Sequence, residues 1–201
     1  MSNAAVKLPG MMTVADFLDW PGDGTVTRYE LVDGVLRAQD PASDTHNTIL
    51  TNLAGQVWLH LRGHRPECRA VTTPGIQPRV RANWNYRVPD LVVTCTPNRA
   101  GVHLTPDPLL LIEILSPGNA ADTYENVRAF STLPTVRQIV VVHSTQMLAE
   151  VLNRAADGAW PADAEVIAAG GTLQVASIGM ALPLTEIYAA THLAPEHRAP
   201  E

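Results

Sequence analysis

Val88-Pro89-Asp90-Leu91-Val92-Val93 and Leu110-Leu111-Ile112-Glu113-Ile114-Leu115-Ser116-Pro117 are two runs of strand-forming aliphatics, each interrupted by a single acid. A carboxylate inside an apolar strand needs a cation, a metal or a hydrogen-bond network to offset its desolvation. Two such acids on neighbouring strands point to a site. The alternative is that either acid marks a strand end or pairs with an arginine such as Arg87.

Working outward, Tyr29 to Arg37 is two apolar runs around Asp33-Gly34, a dipeptide suited to the positive φ values of a tight hairpin turn. Thr13-Val14-Ala15-Asp16 has the spacing of a capping box, so a short helix is expected before Pro21-Gly22. Ser43 is placed to cap a helix running to about Arg62, with Ile49, Leu50, Leu53, Val57 and Leu61 at helical spacing and Gly63 at its end. Cys68 to Val80 reads as one or two short strands broken by prolines, and Arg81 to Arg87 as a polar connector.

Beyond the acid-bearing strands, Asp122 is a candidate cap for a helix through Leu133. Gln138 to Val142 is an aliphatic run of the fully buried kind, and Met147–Leu152 with Ala164–Ile167 form a further strand pair. A short helix near Leu184 to Ala190 comes last. This order of strands and helices predicts an α/β (α+β) fold with a mixed sheet.

The chain has 201 residues, 46% hydrophobic and 17% charged, enough for one globular domain over residues 11–192 with loose ends at 1–10 and 193–201. It contains no apolar run long enough to span a membrane and no export signal, so cytoplasmic residence is the default expectation. Cys68 and Cys95 are the only cysteines and are expected as reduced thiols. The net charge of −6 argues against a strong sequence-independent grip on nucleic acid, so any DNA affinity must be local or supplied by metal. Lys7 is the only lysine; every other cation is arginine.

Asp90 and Glu113 are the hard oxygen ligands that Mg²⁺ or Mn²⁺ prefers, and such an ion lowers the pKa of bound water and polarises a phosphoryl oxygen. The ordered set Tyr29-Glu30-Leu31-Val32-Asp33-Gly34, His46, Pro89-Asp90, Ile112-Glu113-Ile114-Leu115-Ser116-Pro117, Asp122, Leu133 to Val142 and Leu182-Pro183-Leu184-Thr185-Glu186-Ile187-Tyr188 resembles the Uma2 family, grouped with the restriction-endonuclease-like PD-(D/E)xK nucleases. The resemblance implies a sheet core flanked by helices, with a divalent-metal site of Asp90, Glu113 and the backbone carbonyl of Ile114. It also implies that Glu30 points into the same cleft and that His46 stands at a family position, where it could contact phosphate or water; from the residues alone a helix-capping or solvent-facing role is equally open. The family's lysine sits four residues after the position matched by Asp122, and here that residue is Asn126.

An amide orients a water but carries no charge for a developing oxyanion. Arg128 lies about 200° round the helix from Asn126, which leaves Arg87 as the better substitute. Asn126→Lys is accordingly expected to raise cleavage. His60 and His64 have the spacing of helical metal ligands, but with Gly63 between them a metal role is disfavoured. Two functions follow: a Mg²⁺- or Mn²⁺-dependent endonuclease acting on DNA through Glu30, Asp90, Glu113, Asn126 and His46, or a nuclease fold that has lost efficient chemistry and binds nucleic acid or protein. By analogy with related nucleases, a homodimer or higher oligomer is also expected.

Overall fold

In a computed structural model, which describes residues 10–195, a six-stranded sheet carries the chain, in the order β3-β4-β5-β6-β7-β8. Its strands are β3 (Arg69–Thr72), β4 (Leu91–Thr94), β5 (Pro108–Leu115), β6 (Gln138–His143), β7 (Leu148–Asn153) and β8 (Glu165–Ala168). Only β5 and β6 run parallel, joined by helix α3 (Ala120–Phe130), as a parallel pair requires. The sheet is mixed, as the sequence predicts.

β5 is buried on both faces, which is why it reads as an unbroken apolar run. Its even positions Leu110, Ile112 and Ile114 pack with Leu91 and Val93 against helix α2 (Asp44–His64), through Ile49, Leu53, Val57 and Leu61. Its odd positions Leu111 and Leu115 pack with Val92, Ile139 and Val141 against Val127 and Phe130 of α3. Glu113 shares that parity, so the strand's one acid is directed at α3.

Before the sheet stand helix α1 (Val14–Asp19) and the hairpin β1 (Tyr29–Val32) and β2 (Val35–Ala38). Thr13 and Asp16 close the expected capping box. Asp33 and Gly34 have φ of 51° and 87°, the left-handed pair of a two-residue turn. The register that turn imposes sets Glu30 opposite Arg37.

Several expectations are corrected. α2 runs through Gly63 to His64, because its packed face outweighs the roughly 1 kcal/mol that one interior glycine costs. α3 begins after Asn119, with Asp122 inside its first turn, and ends at Phe130 short of Leu133. A second hairpin, β9 (Thr172–Val175) and β10 (Met180–Pro183), precedes α4 (Leu184–Ile187) and buries Leu173, Val175 and Leu182 against the α2 face. Cys68 and Cys95 are joined in a disulfide, not free. The pairing Arg69↔Thr94 makes them the next opposing residues of an antiparallel ladder. Lys7, most of the segment 1–10 and the end of 193–201 lie outside the described residues.

Candidate active site

Four elements converge where β5 ends: β1 with Glu30, α2 with His46, the approach to β4 with Arg87 and Asp90, and α3 with Asn126. Ser43 caps α2, its Oγ accepting from His46 N at 3.1 Å, which fixes the histidine in the first helical turn. From there His46 Nε2 lies 3.0 Å from Asp90 Oδ1. The other oxygen, Asp90 Oδ2, accepts from Ile114 N at 2.7 Å.

That last bond follows from the register. Leu109 and Leu115 accept from Arg137 and Ser144 on the β6 side, so the alternating residue Ile114 turns its peptide groups toward β4. Continuing Leu91↔Ile112 by two residues sets Pro89 opposite Ile114. Proline has no N–H, so the ladder offers the Ile114 carbonyl no donor there, and the Asp90 side chain takes the Ile114 N–H.

Glu30 is 2% exposed. Its Oε2 accepts from Arg37 Nη2 at 2.6 Å and Nε at 3.2 Å, and its Oε1 from Val88 N at 2.7 Å and Asn126 Nδ2 at 3.3 Å. Asn126 Nδ2 also donates to Glu113 Oε1 at 3.3 Å. Asn126 Oδ1 accepts from Arg37 Nη2 at 2.9 Å and Arg87 Nη1 at 3.0 Å. Arg37 Nη1 continues to Asp122 at 2.8 Å and Glu125 at 2.7 Å.

Glu113 is the site's least compensated charge. Burial, then the negative charges of Asp90 and Glu30, push its pKa well above the usual carboxylate range; the Asn126 amide and the Asp90 backbone only partly offset them. Arg37 is in the opposite position: burial opposes its charge, but the hydrogen bond and charge of Glu30, with Asp122 and Glu125, more than offset this and raise its pKa.

The donor set fits a hard divalent cation. Asp90 and Glu113 offer carboxylate oxygens, Ile114 offers a carbonyl that Pro89 leaves without a ladder donor, and the buried Glu113 gains what it lacks from positive charge.

The site residues expected from sequence therefore lie in two neighbouring hydrogen-bonded groups, His46 with Asp90 and Ile114, and Glu30 with Asn126 and Glu113, joined by the Glu113–Ile114 peptide bond. Arg87 joins the second group and Arg128 is exposed away from both. The sequence reading missed Arg37. Its signal was present: a two-residue turn at Asp33-Gly34 pairs position 30 with position 37. His60, His64 and His143 are engaged outside the site. His60 Nε2 meets the Ile178 carbonyl at 3.0 Å, the His60 and His64 rings stack at 4.4 Å, and His143 pairs with Glu150 at 2.7 Å.

The sequence model of a family described as "Uma2: Putative restriction endonuclease" matches residues 14–184. No curated protein matches the chain. Among solved structures, "a putative nuclease belonging to DUF820" from Anabaena variabilis superposes with a TM-score of 0.70 at 17% identity, covering 89% of this chain and 98% of that one. Similarity at that identity establishes a shared fold.

Proposed function

Since the chain belongs to the Uma2 family, matched over residues 14–184, we propose that it is a divalent-metal-dependent endonuclease hydrolysing DNA phosphodiester bonds. The observation that carries this reading lies at the end of β5, where the buried Glu113 carboxylate is opposed by the negative charges of Asp90 and Glu30. Asp90, Glu113 and the Ile114 carbonyl would hold Mg²⁺ or Mn²⁺. Such an ion, when bound, polarises a phosphoryl oxygen and makes a hydroxide available near neutral pH.

The chain's own residues do the rest. His46 and the Ile114 N–H hold the Asp90 carboxylate from two sides, fixing its orientation. Asn126, whose Oδ1 is taken by Arg37 and Arg87, fixes the Glu30 and Glu113 carboxylates through its two Nδ2 hydrogens. Glu30, buried and held by Arg37, Val88 N and Asn126, anchors the Asn126 amide and adds negative charge beside Glu113.

The test is cleavage of plasmid, linear and single-stranded DNA with Mg²⁺ or Mn²⁺, comparing wild type with Glu113→Ala. Loss of cutting in the variant is expected; equal cutting would refute the site. A second reading, a nuclease fold that binds nucleic acid or protein without cutting, is favoured by the neutral amide at Asn126. Calorimetric titration separates the two, since no uptake of Mn²⁺ at millimolar concentration leaves only the binding role. We take residues 11–192 to act as one unit. A homodimer would reach both strands, and sedimentation with and without DNA tests that.

A further inference from the structure

Asn126 is a neutral amide held between two kinds of charge, with guanidiniums on its oxygen and carboxylates on its nitrogen. The arginines fix which way round it sits: Oδ1 must face their donors, so Nδ2 faces Glu30 and Glu113. The two arginines differ in reach. Arg87 is 2% exposed, and its terminal nitrogens are engaged by Asn126, Asn85 and Glu125. Arg37 keeps 19% of its side chain exposed and bridges Glu30 to Asn126 directly.

Resting on the nuclease reading above, the geometry points to Arg37 as the cation of this site, delivered from the β1–β2 hairpin and acting on the reacting centre through Glu30 and Asn126. Arg37 is a positioning residue. Its charge, shared with Asp122 and Glu125, offsets that of Glu30, so that less negative charge faces an incoming phosphate. Its hydrogen bond draws electron density toward Asn126 Oδ1 and makes the Nδ2 hydrogens stronger donors. A lysine at position 126 beside Arg37 and Arg87 would be a third cation in the same space, so Asn126→Lys alone is not expected to speed cleavage.

The test exchanges the charge between hairpin and helix, reading Mn²⁺ affinity by calorimetry alongside kcat and KM for DNA cleavage. Arg37→Gln keeps a hydrogen-bonding side chain and removes the charge. It is expected to tighten Mn²⁺ binding about tenfold by making the site more negative. Its kcat should fall about a hundredfold with KM little changed, the usual loss for one preorganised donor. Asn126→Lys in that background should return both readouts to within a few-fold of wild type.

Unchanged Mn²⁺ affinity in Arg37→Gln, or a double variant no closer to wild type than the single one, overturns the proposal. A thermal melt accompanies each protein. If Arg37→Gln does not fold, Arg37→Met takes its place: Mn²⁺ binding about tenfold tighter supports the role of the charge, and wild-type affinity refutes it. A wild type that binds Mn²⁺ and cuts no DNA removes the nuclease reading but leaves Arg37 to be judged on the affinities. A wild type that takes up no Mn²⁺ overturns both.

Discussion

Glu113 holds its position against three costs: it is 6% exposed and faces both Asp90 and Glu30. Its folded-state pKa is raised above the ordinary value of 4.5. Below that ordinary value, folded and unfolded states both carry the proton and the full stability is present. As pH rises through the folded-state value, the unfolded chain ionises more readily and stability is lost. Metal-free protein is therefore expected to melt at lower temperature at pH 7 than near pH 5, as far as Glu113 governs it. Glu113→Gln should raise the neutral-pH Tm by a few degrees and flatten its pH dependence; scanning calorimetry on both proteins checks this. Acids in apolar strands announce themselves in a sequence, which is why Asp90 and Glu113 were legible. Arg37 was not, because an exposed-looking arginine on a hairpin shows its partner only once the register is applied.

Among the elements, the β1–β2 hairpin matters most to the site, since it carries both Glu30 and Arg37. Its turn depends on Gly34, at φ 87°, where an added Cβ would also lie 2.8 Å from the Trp84 ring. Gly34→Ala is expected to cost about 1–2 kcal/mol from the left-handed backbone alone, with the Trp84 contact adding to it. Because the hairpin must shift, cleavage should fall more than the lost stability explains. Urea denaturation beside an activity assay on the folded fraction measures the two effects separately. This hairpin and α2 were readable because Asp-Gly turns and i, i+4 apolar spacing are local signals. β9–β10 was not, since four-residue strands joined by a 3-10 turn ending at Gly179 offer neither a two-residue turn signal nor enough alternation.

Which strands lie side by side is a property of the whole molecule, and the sequence reading could place six core strands without ordering them. The disulfide shows the consequence: Cys68 and Cys95 are 27 residues apart and oppose each other only because β3 pairs with β4. Replacing both with serine should lower the stability of oxidised protein by about 3 kcal/mol, from the loop the bridge closes. Urea midpoints of the oxidised, reduced and double-serine proteins give that difference.

Charge is the other property of the whole chain. With a net −6, the surface repels a polyanion, while Arg37 and Arg87 are already engaged by acids and amides inside the site. Few counterions are then released on binding DNA, because release scales with the phosphates neutralised by protein cations. Affinity should depend on the divalent ion and only weakly on salt. Fluorescence anisotropy with labelled duplex is expected to show tight binding in Ca²⁺ and little in chelator. The slope of log K against log salt should have a magnitude of about 2, against the 6–9 of a protein that grips many phosphates. A steep slope that persists in chelator would mean that DNA is held by a basic surface elsewhere and not at the β5 carboxylates.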